Sequence, residues 1–235
     1  MIQNWLAFWD TSHPIYVNAR HSDVHYRLIA QAIARLLPNL LPKGSARVLD
    51  YGFGEALHAD LVAAGCGELL LCEGAPQLRA RVAERFAGNA KIRVITPEEA
   101  SRLPDRSLDL IVLHSVAQYL TADEADSLFT MFHRLLQSGG TLLVSDVIPP
   151  HVPAITDALA LLRFGAANGF LFAALGGLVR TRLSDYWRLR GQLGLTRYTE
   201  AAMIAKLAAA GFAARRASEN IGHNQARMAF FARPR

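Results

Sequence analysis

Residues 46–60 read ARVLDYGFGEALHAD, and this stretch decides the fold. Residues 47–49 are short and apolar around Val48, which is typical of a buried parallel strand. Residues 56–64 have helical spacing and are followed by Gly65, a residue that commonly ends helices. Gly52 and Gly54 lie between the two segments, so we predict a strand-to-helix turn. Its backbone can approach a ligand closely, and the amides at the helix start suit a polar or anionic group.

Two acids follow neighbouring strands of the predicted sheet. Asp50 directly precedes the glycine turn, and Glu73 follows the next apolar stretch, residues 69–72. An acid about 20 residues past the glycines, at the tip of strand two, is placed to accept hydrogen bonds from a ribose diol. A dinucleotide fingerprint would need a third glycine where the chain has Leu57, which argues against NAD. The spacing therefore predicts a site for a different nucleoside.

Two motifs resemble those of the class I S-adenosylmethionine-dependent methyltransferases, of the small-molecule type. Residues 50–56, DYGFGEA, resemble motif I, D-x-G-x-G-x-G, with Ala56 in place of the last glycine. Residues 137–146, QSGGTLLVSD, resemble the family's L-x-P-G-G-x-L segment, with Ser138 in place of proline. The resemblance implies an α/β, Rossmann-like seven-stranded sheet, mostly parallel with an antiparallel last strand. Helices would cover both faces, with an N-terminal lid and a helical insertion after strand five.

The same resemblance implies S-adenosyl-L-methionine as cofactor, with S-adenosyl-L-homocysteine as product. The cofactor-binding residues it implies are Asp50, Gly52, Gly54, Glu73, Glu99, His114 and Ser115. Glu98 is an alternative to Glu99, and either could be an ordinary exposed helix residue. His114 could instead be a hydrogen-bonded histidine at a strand end.

We expect one domain over residues 1–235, in four parts. These are an N-terminal lid and helix (1–40), a cofactor-binding core (41–148), a helical substrate cap (149–198) and a C-terminal helix and strand pair (199–235). Ser22 is expected to cap the first helix and Pro38 to end it. The aromatic residues of 1–22 predict either a lid over the cofactor or an arm packed on the domain. The candidate substrate-binding residues are Tyr16, His21 and Tyr119.

Residues 154–190 are rich in apolar residues and carry arginines at 163, 180, 182, 188 and 190. Apolar helices at this place in the family fold imply an acceptor pocket for a hydrophobic or amphipathic molecule. Core packing, a homodimer face and peripheral contact with a membrane remain open alternatives.

The charge pattern argues against a nucleic-acid partner. Lys and Arg outnumber Asp and Glu by 25 to 20, but they are scattered singly, whereas a nucleic-acid surface clusters them. Cys66 and Cys72 lack CxxC spacing, and no secretory leader is evident, so we expect reduced cysteines in a cytoplasmic protein. The longest uncharged run, residues 164–179, falls short of the roughly 20 residues that span a bilayer.

The expected chemistry is O- or N-methylation of a small molecule by in-line transfer. A hydroxyl acceptor would need a base, and the candidates are His114, His151 and His25, together with His13 and His21. His21 and His25 have the spacing of a metal pair but no evident third ligand, so no metal is expected. The alternative functions are a noncatalytic S-adenosylmethionine-binding partner protein and a nucleotide-dependent oxidoreductase.

Overall fold

The computed structural model describes residues 7, 9, 10, 16–40, 45–182 and 194–235. Their strands form one seven-stranded sheet. The strands are β1 Arg47–Tyr51, β2 Glu68–Cys72, β3 Ile92–Ile95, β4 Leu108–His114, β5 Leu136–Val147, β6 Phe212–Arg216 and β7 Met228–Pro234. They lie in the order β3-β2-β1-β4-β5-β7-β6. Neighbouring strands from β3 to β5 are parallel, and β7 runs antiparallel to both β5 and β6, so the predicted fold is confirmed.

Helices lie on both faces of the sheet, because alternate side chains of each buried strand point to opposite sides. Leu49 of β1 packs with Phe129 and Phe212 in one core, while its neighbour Val48 packs with Ile33 and Leu78 in the other. The helices are α1 Ala19–Leu40, α2 Ala59–Ala63, α3 Pro76–Arg85, α4 Pro97–Ser101, α5 Ala122–Leu135, α6 Ala154–Asn168, α7 Leu171–Arg182 and α8 Glu200–Ala209.

Both predicted ends of α1 were wrong. The Asn18 side chain accepts a hydrogen bond from the N–H of His21, so the helix begins before Ser22. Pro38 lies inside the last turn and the helix continues to Leu40. A proline so close to a helix end removes little of the hydrogen-bond ladder.

The segment joining α5 to β5 contains no loop. The helix ends at Leu135 and the strand begins at the next residue. Gly140 lies within β5, where a Cβ atom would meet the Asp109 carbonyl oxygen at 3.1 Å. The glycine is therefore suited to close strand packing and does not mark a helix end.

The insertion after β5 contains a helical pair, α6 and α7, connected through Gly169. Arg188 and Arg190 lie outside the described residues. Within the described ranges, no helix combines the length and apolar character needed to cross a membrane.

Candidate functional site

The backbone of the turn between β1 and α2 lines one edge of a cavity. Gly52 and Gly54 have φ values of +77° and +60°, in the left-handed region that glycine adopts without strain. A Cβ atom on Gly52 would lie 2.5 Å from Cγ2 of Val116, and one on Gly54 would lie 2.4 Å from the Tyr26 hydroxyl. Both glycines are therefore required by conformation and by space.

Asp50 and Glu73 stand at the carboxyl ends of adjacent parallel strands. Asp50 pairs in register with Leu71, two residues before Glu73, and both acids line the same cavity. Burial, and then the nearby Glu73 charge, raise the pKa of Asp50 to about 7. Burial also raises the pKa of Glu73, and hydrogen bonds from backbone N–H groups, including that of Ala75 at 3.0 Å, partly offset this. The two carboxyl groups form an acidic pair at the cavity that can accept hydrogen bonds from a ligand.

A tyrosine pair connects α1 to the glycine turn. The Tyr16 hydroxyl donates to the Tyr26 hydroxyl at 2.9 Å, and Tyr26 in turn accepts the N–H of Glu55 at 2.8 Å. Burial raises the pKa of Tyr26 to about 12, so this hydroxyl stays protonated. The pair fixes α1 against the loop and forms part of the cavity wall.

Four histidines gather beside this wall. The ring of His25 lies 6.1 Å from that of His21 and 5.9 Å from that of His223, and His114 interacts electrostatically with His25. Nδ1 of His114 is 2.9 Å from Oγ of Ser145, while Nδ1 of His25 is buried without a hydrogen-bond partner. Burial lowers the pKa of all four, that of His21 to about 4, so the cluster is neutral at pH 7.

Two residues at the ends of β4 and β5 have left-handed backbone. Ser115 and Asp146 have φ values of +59° and +61°, and Ser115 Oγ donates to Asp146 Oδ2 at 2.8 Å. The side chain of Asn220 accepts the Asp146 N–H at 2.9 Å. Such strain in residues other than glycine is typical of functional sites.

The cavity has a volume of about 380 Å³, within the range of small-molecule sites. The structure brings nine of the predicted residues to its wall: Tyr16, His25, Asp50, Gly52, Gly54, Glu73, His114, Ser115 and Tyr119. Their roles remain predictions, but their convergence on one cavity is a structural fact.

Three predicted residues lie away from the cavity wall. The Glu99 carboxylate accepts the Thr96 N–H in a capping box, and its neighbour Glu98 lines the cavity instead. His21 stacks on Phe170 at 4.9 Å, and His151 lies exposed in the turn after β5. His13 and most of the predicted lid before residue 16 fall outside the described residues, although Trp9 lines the cavity and contacts Tyr119.

Sequence reasoning missed several residues near the site. Trp9 was grouped only with a lid, and Tyr26, His58 and His223 received no role. Tyr26 shares the buried face of α1 with Ile29 and Ile33, a spacing that could have revealed it. His223 comes from the loop between β6 and β7, and no local pattern indicates that this loop reaches α1. Among the described residues, no group of three or more His, Cys, Asp or Glu could hold a metal ion.

Residues 49–144 match the family model described as a methyltransferase domain. These are the residues that carry the glycine turn, the acid at the end of β2 and strands β4 and β5. This segment of the chain is therefore similar in sequence to methyltransferase domains. No curated protein sequence matches the chain significantly.

Solved structures share the fold over nearly the whole chain. An S-adenosylmethionine-dependent methyltransferase from Leishmania major is 14% identical with a TM-score of 0.62, covering 98% of this chain and 81% of its own. Magnesium protoporphyrin IX methyltransferase from Synechocystis PCC 6803, solved with bound S-adenosylhomocysteine, is 16% identical with a TM-score of 0.58, covering 100% and 94%. A possible exported protein from Bordetella parapertussis is 19% identical with a TM-score of 0.59, covering 98% and 78%.

Proposed function

We propose that this protein is an S-adenosylmethionine-dependent methyltransferase acting on a small hydrophobic or amphipathic molecule. The observation that carries the proposal is the acidic pair, Asp50 and Glu73, beside a glycine turn and facing one cavity. Support comes from the methyltransferase domain match and from the bound S-adenosylhomocysteine of a structural neighbour.

The residues of the cavity fit such a cofactor. Glu73 is only 7% exposed, and a carboxylate has about four acceptor sites, so the backbone N–H groups that donate to it leave capacity for a ribose hydroxyl group. Gly52 and Gly54 let the turn pack closely against Val116 and Tyr26 of the cavity wall, since a side chain at either glycine would collide with them. When bound, S-adenosylmethionine supplies a sulfonium methyl group to a nucleophile by in-line displacement.

The remaining wall suits an apolar acceptor with a hydroxyl or amine group. Trp9, Phe53, Val116 and Tyr119 supply apolar and aromatic surface that excludes water. His114 and His25 line the cavity and are neutral at pH 7, so either can accept a proton. We assign this role to His114 or His25 in preference to His151, which lies outside the cavity.

The tautomer of His114 decides which of its nitrogens can act. If Nδ1 donates its proton to Ser145 Oγ, Nε2 carries the lone pair and can accept a proton from an acceptor hydroxyl. Ser145 is buried and would hold the ring in this orientation. His25 would then orient the acceptor through its unpartnered Nδ1.

A calorimetric titration tests the cofactor assignment. We predict that Glu73→Ala weakens binding of S-adenosylmethionine by about 1–3 kcal/mol, because the ribose hydroxyl groups lose their partner. Glu68→Ala is the matched control, since Glu68 begins the same strand and pairs with Arg47 and Arg93 away from the cavity. Equal affinity in wild type and Glu73→Ala would remove Glu73 from the site, and binding of NADH instead would favour an oxidoreductase.

We also propose a cytoplasmic location without a nucleic-acid partner. The proposal is supported by the two free, buried cysteines and by basic residues that are scattered along the sequence.

A further inference from the structure

The helices α6 and α7 carry an unusual outer surface. In the described part of the chain, the exposed large hydrophobic side chains all lie on these two helices: Ile155, Leu159, Phe172, Leu175 and Val179. Phe172 is 87% exposed and Val179 66% exposed. Single exposed apolar residues are common, but a cluster of them marks a surface with a binding role. We refer to these five residues as the apolar stripe.

The spacing of these residues places them on one face of each helix. Ile155 and Leu159 are four residues apart on α6, and Phe172, Leu175 and Val179 follow i, i+3, i+7 on α7. Each set therefore occupies one side of its helix.

The opposite side of α6 and the junction between the two helices are anchored to the domain. Phe164 of α6 stacks on His223 at 4.6 Å, and Phe170, between the helices, stacks on His21 at 4.9 Å. Asp157 binds Arg227 at 3.0 Å and accepts a hydrogen bond from Asn224 at 2.8 Å. The pair thus has a fixed inner face, and the stripe is left on the outside.

The charges on the two helices favour one binding partner over another for the apolar stripe. Asp157 is the only acid in the sequence of α6, and it is paired inward, while the sequence of α7 contains none. Arg163 is exposed on α6, eight residues after Ile155 and four after Leu159, on the same side of the helix. A second copy of the chain docked on this face would bring arginines together without an acid from these helices to pair with them.

We propose that α6 and α7 form a membrane-binding surface, with the apolar stripe inserted among the lipid chains of an anionic bilayer and Arg163 at the headgroups. Helices with an apolar face and basic residues lie in the plane of the bilayer interface in this way. The surface is distinct from the cavity, and the inference does not depend on methyl transfer.

Vesicle co-sedimentation tests the proposal with the full chain. We expect the protein to pellet with vesicles of phosphatidylcholine mixed with phosphatidylglycerol, and much less with phosphatidylcholine alone. The double variant Phe172→Ser, Val179→Ser should reduce the partition coefficient by about tenfold or more, because two exposed apolar side chains no longer enter the lipid. Arg163→Glu should reduce it roughly tenfold on the anionic vesicles only.

Arg35→Glu is the matched charge control, because Arg35 is exposed on α1. It should change partitioning much less than Arg163→Glu. Folding and cofactor binding are followed in every variant by circular dichroism and by titration with S-adenosylmethionine, both of which should match wild type. If wild type does not bind S-adenosylmethionine, the proposed function is refuted, but the vesicle result still tests the membrane-binding surface.

Two outcomes would overturn the proposal. One is pelleting that is absent or that the double variant does not change. The other is a wild-type mass of two copies in solution that falls to one copy in the double variant, which would assign the stripe to a dimer.

Discussion

Ala56 has a left-handed backbone with φ +44°, although it carries a Cβ atom. This conformation costs a residue other than glycine about 1–2 kcal/mol. Motif I of the class I methyltransferases has glycine at this position, and the structure supplies the physical reason. The same residue explains why α2 begins at Ala59 rather than at 56, since left-handed backbone cannot be part of a right-handed helix.

We predict that Ala56→Gly leaves the free energy of unfolding within about 1 kcal/mol of wild type. Relief of the left-handed strain offsets the lost methyl burial and the greater freedom of glycine in the unfolded chain. Ala63→Gly is the matched control, because Ala63 is also buried but lies in α2. It should cost about 2 kcal/mol, from helix propensity and lost burial together. Equal costs in urea unfolding would show that φ at residue 56 carries no strain.

Asp50 should make cofactor affinity depend on pH. Its pKa is raised to about 7, so below pH 7 the carboxyl group is protonated and a ligand that needs the carboxylate must displace a proton. We predict that affinity for S-adenosylmethionine weakens by up to about tenfold per pH unit below 7 and levels off above it. Titrations between pH 6 and 8 measure this. Asp50→Asn should bind more weakly with a flatter profile, and parallel profiles would contradict the assignment.

At the scale of elements, the strands β1 to β4 were predictable because each is a short, mostly apolar run that the sequence delimits with polar residues or glycine. The caps of α5 and α8 were predictable as well, because Thr121 and Thr199 are local signals. The ends of α1 and the start of β5 were not. The first boundary depends on the Asn18 cap, and the second depends on the pairing of Leu136 with Leu108 of β4. Neither has a local signal in the sequence.

We predict that Thr121→Ala lowers the free energy of unfolding by about 1 kcal/mol, within the range of 0.5–2 kcal/mol for such caps. The Thr121 hydroxyl accepts the Glu124 N–H at 3.2 Å, and alanine leaves that donor unpaired. Thr130→Ala is the control on the same helix, since its exposed hydroxyl only donates to the Asp126 carbonyl. Thermal or urea unfolding gives both values, and equal losses would mean that the cap adds no specific stability.

At the scale of the whole molecule, buried histidines couple folding to pH. His21 is 5% exposed, and burial, then the nearby His223, lower its pKa to about 4. Between pH 6.5 and 4 the unfolded chain binds a proton at this residue and the folded chain does not. The contribution of neutral His21 to the free energy of unfolding is thus complete above pH 6.5, and it is lost as the pH falls towards 4.

We predict that wild type loses about 2 kcal/mol more than His21→Phe between pH 7 and pH 5. Phenylalanine keeps the stacking on Phe170 but does not titrate. The raised pKa of Asp50 acts in the opposite direction, but it is common to both proteins and cancels in the difference. Urea unfolding at the two pH values measures the effect, and equal losses would show that His21 titrates normally in the fold.

Only part of the candidate site could be predicted from the sequence. Asp50, Gly52, Gly54 and Glu73 were predictable because they follow two adjacent strands, whose ends must meet. His223 and Tyr26 reach the same region from distant parts of the chain, through the packing of α1 and the β6–β7 loop. Only the folded arrangement brings them there, and the same holds for the choice of Glu98 over Glu99 at the cavity.

Cys66 and Cys72 are both fully buried, and burial raises the pKa of each thiol. Alkylating dyes, which attack the thiolate, should therefore leave the folded native chain unlabelled. A cysteine placed at Gly176, where a Cβ atom meets nothing within 4 Å, would give one addressable attachment point on α7. A polarity-sensitive fluorophore could then be coupled there without first removing the native sulfur atoms.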